Sequence, residues 1–320
     1  MAFQMRILLP LISIFFWIFP VMAGESLLYE AQVIQVITKD STDLELGYPS
    51  TVFYDRGAAE LYVVHSGKGS RVAIFGGADY FPTLTLGEGR GLTKCSGVYV
   101  SPEGVLYAAQ DKAAEGELPR ISVFDGAFFK IREMALTGFP NAADFVPKKM
   151  VEGARGRLLV SGHNYPGALV LDRDGRFLHL IDPADTVRGG RQKADIISID
   201  TDQNGRIYLL SEGMGRVYVY DREERFLFRF GEKGGSSGKL ARARGIAVDD
   251  RAGRIYVVDY LRHGVNVYDL EGKYIFEFGG QGNGRGWFSF PSDVCVDGQG
   301  NVVIADMFNK RIQVFDIVQR

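Results

Sequence analysis

The chain has 320 residues, with 37 basic against 39 acidic side chains and two cysteines. So even a balance excludes a nucleic-acid partner held by bulk charge. Two cysteines, Cys95 and Cys295, permit at most one disulfide bridge.

In chain order, residues Met1 to Ala23 read as a targeting segment. Arg6 supplies the positive start, Ile7 to Phe19 the apolar stretch and Val21-Met22-Ala23 a small-residue cleavage site before Gly24. The competing reading is an uncleaved anchor, but the apolar run is shorter than the roughly 20 residues that span a bilayer. Cleavage leaves one exported domain, Gly24 to Arg320, periplasmic or extracellular, with no membrane insertion and a net charge of −3 once Arg6 is gone. Ala31 to Ile37 (AQVIQVI) then alternates like a strand.

From residue 49 onward one unit repeats. Its clearest copy is PSDVCVDGQGNVVIADMFNKRIQVFD, Pro291 to Asp316, in which three short apolar runs are separated by an Asp-Gly turn and a polar loop. Weaker copies begin near Pro49, Cys95, Pro147, Ala194 and Ala243, at steps of 46, 52, 47, 49 and 48 residues. Most units add a fourth strand, such as Tyr274 to Phe278 and Phe226 to Phe230. A four-stranded unit of this size cannot bury both faces alone, and the period predicts an all-β fold, a six-bladed β-propeller of four-stranded antiparallel blades. The sixth unit stops after three strands, so Ala31 to Ile37 is expected to complete it and close the ring.

The segment Gly279 to Asp316 resembles an NHL repeat from end to end. It has a glycine-rich lead-in, Phe then Pro, a strand closing in Asp, a strand ending Ala-Asp, then Asn-Lys-Arg-Ile and a strand ending Phe-Asp. Units four and five match well; units one to three keep only the strand rhythm. The resemblance implies that Asp306 and Arg311 form an ion pair pinning the loop between two strands. In unit four Ser211 and Arg216 keep the spacing without the acid.

A propeller gathers on one face the loops that lead into the innermost strands and those between second and third strands. The residues after each unit start give a ring there: Ser50-Thr51, Ser96-Gly97, Lys148-Lys149, Asp195-Ile196, Arg244-Gly245 and Ser292-Asp293. Such a mouth suits a polar small ligand or a protein loop. Trp287, with Tyr260, Arg262 and His263 of the adjacent blade, makes an aromatic and basic contact patch; the alternative is that Trp287 folds back into its own loop. The reading is therefore a monomeric binding or scaffolding module using Lys148, Lys149, Asp195, Arg244, Asp293, Tyr260, Arg262, His263 and Trp287.

Catalysis is the second reading, a metal-assisted lyase or lactone hydrolase at the mouth. His65, His163 and His263 fall about two blades apart, as a three-histidine zinc site would, but they lie one strand spacing outside the inner ring. Peptide-amidating lyases resemble this architecture, yet their histidine positions are Ser50, Lys148 and Ser292 here. Gluconolactonase-like propellers hold a divalent ion with Glu, Asn and Asp, of which only Asp195 and Asp293 have counterparts. No phosphate loop, haem motif, HExxH or Ser-His-Asp order occurs, so no cofactor is implied. Unit five clusters Lys239, Arg242, Arg244, Arg251, Arg254 and Arg262, but at opposite ends of one blade. Asp55, Asp200, Asp249 and Asp297 read as turn formers, and the two cysteines as free thiols, since their blades are not adjacent.

Overall fold

The computed structural model describes residues 28–67, 69–163, 165–187 and 189–320. The targeting segment expected over Met1 to Ala23 lies outside the described residues. Six four-stranded antiparallel sheets follow one another along the chain, each pairing its strands in sequence order except the last. Their inner strands are Tyr48–Asp55, Cys95–Val100, Val146–Glu152, Ser198–Thr201, Ala243–Asp249 and Pro291–Val296. These six neighbour one another in a closed circle. The chain is a six-bladed β-propeller.

The blades are nearly continuous apolar runs because neither face of a blade meets water. In blade 1, Leu61, Val63 and Phe75 pack against blade 6 while Tyr62, Val64 and Ile74 pack against blade 2. Side chains alternate across a strand, so each strand feeds two seams. Six apolar clusters fill the six seams. The Cys95 and Cys295 thiols are both buried and unbridged, and each takes part in seam packing. Burial pushes Cys95 up to about 12.

The amino-terminal strand closes the ring as expected. Tyr29–Ile37 pairs antiparallel with Arg311–Gln319, from Tyr29 opposite Gln319 to Ile37 opposite Ile312. One element was not expected: a hairpin, Ala184–Val187 with Gly190–Lys193, stands before blade 4. Its residues are polar and mostly exposed, so no apolar alternation marked them. In the same blade Asp195 bridges back to Pro166 and Gly167, and the inner strand starts only at Ser198.

Five inner strands carry a bulge at the same height, at Ser50, Ser96, Lys148–Lys149, Arg244 and Ser292. A bulge puts two residues against one and turns a side chain aside. The position is thus set by backbone geometry, and it coincides with the ring of residues expected at the mouth.

Candidate functional site

The bulge residues stitch blades together. Ser292 Oγ donates to the Pro49 carbonyl at 2.9 Å and Thr51 Oγ1 to the Ser96 carbonyl at 2.8 Å. Ser96 Oγ donates in turn to the Pro147 carbonyl, and Lys148 Nζ reaches the Arg244 carbonyl at 3.1 Å. Burial lowers the Lys148 amine to about 8, helped by the nearby Arg244 and Lys149 charges and opposed by Asp293.

Across the ring, Lys149 Nζ donates to both oxygens of Asp293 at 2.9 and 2.7 Å and lies 3.3 and 3.2 Å from the Val52 and Val294 carbonyls. Asp293 also accepts the Val52 N–H at 3.0 Å. Both side chains are buried, Asp293 completely. Lys149 and Asp293, expected among the ligand-binding groups of the mouth, thus spend their hydrogen-bonding capacity on one another and on neighbouring backbone inside the ring, whereas Lys148 makes one hydrogen bond, to the Arg244 carbonyl. A buried charge is stable only with such a partner.

Asp195 sits in a separate network, accepting from Ser211 Oγ at 2.7 Å and from the Gly213 N–H. Asp195 and Asp293 are therefore not brought together as an ion site. The histidines are apart as well. His65 Nδ1 accepts the Gly47 N–H and His263 Nδ1 the Phe290 N–H. Burial lowers His65 to about 4; burial, with Lys148 and Arg244 nearby, does the same to His163. Among the described residues no three His, Cys, Asp or Glu side chains converge as metal ligands.

The loops around the mouth supply something else, a stripe of aromatic rings crossing three blades. Tyr260 of blade 5 packs on Phe290 (4.8 Å between centroids), Phe290 on Phe308 of blade 6 (5.2 Å), and Phe308 on Tyr48 of blade 1 (5.7 Å). Cations cap both ends. Arg244 lies 4.5 Å over Tyr260, with Arg242 beside it, and Lys310 lies 5.4 Å over Tyr48. Phe308 is 50% exposed and Tyr48 40%. Glu212 holds Arg242 and Arg244 in place. Burial alone would raise the Glu212 carboxyl, but these two guanidiniums bring it below its usual range.

Of the expected patch, Tyr260 and His263 belong to this stripe, His263 lying 4.4 Å from the Phe290 ring, and Arg244 joins them from the expected ring of mouth residues. Arg262 instead turns outward along blade 5, donating to Glu277 at 2.6 Å and to the Gly235 carbonyl. Trp287 folds over Gly280 and Gly282 of its own loop, leaving about half its surface exposed. The neighbouring Phe288 is fully buried in the seam between blades 5 and 6. The Asp306–Arg311 ion pair forms at 2.7 Å, and the same guanidinium ties down the Asn283, Gly284 and Trp287 carbonyls. Where Ser211 replaces the acid, Arg216 pairs with Asp185 of the unexpected hairpin instead.

Beyond the Lys149–Asp293 pair the channel opens into a cavity of about 460 Å³ on the opposite face, where first and second strands connect. Its rim includes Arg56, Pro102, Gln203 and Asp250. Asp200 lines it, which corrects its reading as a turn former. Its oxygens accept the Val248 and Thr201 N–H groups, and the turn is capped by Asp202, which accepts the Arg206 N–H at 2.8 Å. Asp55, Asp249 and Asp297 do cap their turns. Burial raises the Asp200 carboxyl to about 6.

With fold and sites in place, the likenesses to known proteins fall as follows. A family model described as a 6-bladed beta-propeller matches residues 246–319. No curated protein matches the chain. An auxiliary nutrient binding protein from Bacteroides thetaiotaomicron superposes with a TM-score of 0.63 at 14% identity, over 89% of this chain and 73% of that one. A second auxiliary nutrient binding protein, from Bacteroides ovatus, gives 0.63 at 14% over 91% and 77%. Virginiamycin B lyase from Staphylococcus aureus gives 0.59 at 11% over 91% and 100%. At these identities the likeness is one of fold.

Proposed function

We propose that this chain is an exported NHL-type propeller serving as a binding module, which holds an extended, acidic segment of a partner protein on its mouth face. The observation that carries this reading is the partly exposed aromatic stripe with Arg242, Arg244 and Lys310 at its ends. Rigid aromatics flanked by arginine are what interface centres are built from. Two arginines and a lysine against one glutamate favour an acidic partner. Export rests on the amino-terminal segment, and the NHL assignment on the end-to-end pattern of Gly279 to Asp316 and its copies in units four and five. No helix among the described residues is long and apolar enough to cross a membrane. A binding role is also supported by two Bacteroides propellers of similar architecture that are described as auxiliary nutrient binding proteins.

The test is selection of a random peptide library on the immobilised protein. Enriched peptides should carry acidic residues beside an apolar anchor. Tyr260→Ala combined with Phe308→Ala should weaken their binding by about 2 kcal/mol or more, roughly thirtyfold, with the melting temperature unchanged. Peptides that bind the double variant as tightly as the parent place the site elsewhere and overturn the assignment.

A further inference from the structure

The cavity on the opposite face has two unlike walls. Phe53 and Tyr54 of blade 1 and Tyr99 of blade 2 form one; Asp200 and Asp202 of blade 4 and Asp250 of blade 5 form the other. In a ring of six, blade 1 stands across from blade 4 and blade 2 across from blade 5, so aromatic rings face carboxylates. Aliphatic side chains, among them Val151, Ile246, Val248 and Val294, fill the space between. The cavity is blind, because the Lys149–Asp293 pair closes its inner end and has no free charge to offer.

Its carboxylates accept few hydrogen bonds, and one oxygen has no donor. Asp200 receives only two backbone N–H bonds. Asp250 Oδ2 accepts the Gln203 N–H, while its buried Oδ1 meets no donor. Glu152 receives the Tyr99 hydroxyl. Arg56 is a cation on the rim with no carboxylate partner among the described residues. Glu152, Asp200 and Asp250 are each partly exposed, an orphaned oxygen such as Asp250 Oδ1 is costly, and the carboxylates are too dispersed for a metal ion to gather three of them.

We infer that this blind cavity is a second ligand site, for a small organic cation carrying an ammonium or guanidinium head on an apolar body. The head meets Asp200 and Asp250, and the rings of Phe53, Tyr54 and Tyr99 supply cation–π contact and cover for the body. Because the Lys149–Asp293 pair separates the two ends of the channel, this site is independent of the mouth stripe. The charged groups around Asp200 are Lys149 and Arg56, against Glu152, Asp202, Asp250 and Asp293; burial keeps the Cys295 thiol neutral. Asp200 takes up a proton as the pH drops through about 6, so affinity for the cation falls over the same range.

The probes are phenethylammonium and agmatine, with phenethyl alcohol and phenylacetate as neutral and anionic counterparts of the first, titrated calorimetrically into the purified protein. Phenethylammonium should bind about tenfold or more tightly than either counterpart, the worth of a charge-assisted hydrogen bond. Asp200→Asn should cost about tenfold or more, while Arg56→Gln should tighten binding by removing a like charge. If Asp200→Asn does not fold, Asp250→Asn and Arg56→Gln at the rim carry the same test with the same signs. The inference is overturned if neither cation saturates the protein, if the neutral or anionic probe binds as well, or if the rim variants change nothing.

Discussion

Replacing Lys149 by Met should be among the most destabilising changes this protein can take. The substitution is close in shape, so almost no packing is lost, yet it leaves the Asp293 carboxylate fully buried with the Val52 N–H as its remaining donor. Removing one partner of a buried ion pair costs about 3–5 kcal/mol, a large part of the 5–15 kcal/mol that typically holds a domain together. Asp293→Asn strands the other charge: Lys149 would keep the Val52 and Val294 carbonyls, at 3.3 and 3.2 Å, and at most one neutral amide oxygen. Its cost should be similar. The double variant removes both charges and should be less damaged than the two single losses summed, by at least about 2 kcal/mol. Urea unfolding followed by far-ultraviolet circular dichroism measures all three. Single losses below about 1 kcal/mol that simply add would refute the claim that this pair is dry and mutually dependent.

Acid should weaken the fold before it protonates ordinary carboxylates. His65 and His163 are held to about 4 in the folded chain against 6.5 when exposed, so the unfolded chain binds more protons between those values. The stability they confer is present above pH 6.5 and is lost as the pH falls towards 4, by up to roughly 3 kcal/mol for each histidine. Replacing both with Gln should flatten the melting temperature over that window, and an unchanged slope would contradict it. Deleting residues 28–37 exposes the whole edge of Arg311–Gln319 and strips Ala31, Val33 and Ile37 from two seams. A drop in melting temperature of about 5 °C or more is expected, and an unchanged value would mean the ring closes without that strand.

The fold was legible because every blade solves the same problem. A sheet sandwiched between two copies of itself must be apolar on both faces, and six such solutions leave a period that survives even where the signature residues of the last unit fade in blades 1 to 3. What broke the period was invisible for the opposite reason. The hairpin at 184–193 buries almost nothing, and its polar sequence carries no alternation; its use emerges only through Asp185, which takes the arginine that Ser211 cannot. The Asp306–Arg311 clasp was legible because partner and spacing lie within one loop.

The site was less legible because it is made between blades. A bulge adds one residue to a strand, and no count along the chain shows that it turns Ser96 or Ser292 toward the next blade's carbonyl. Lys149 and Asp293 lie 144 residues apart and meet only because the ring closes. Tyr48 and Phe308 are each a single aromatic in their connections, Phe290 stands beside Trp287 and Phe288 in a glycine-rich one, and the loop holding Phe308 read as polar. The two aspartates of Asp200-Thr201-Asp202 look equivalent as turn formers, yet one caps the turn and the other, two residues earlier on the strand, faces the channel. These observations share one physical cause. In a propeller the blade interior dictates residue type at every position it touches, so functional freedom remains where blades do not cover one another, at the two ends of the channel. The Lys149–Asp293 pair lies between those two ends, and its own residue types are fixed by what it buries.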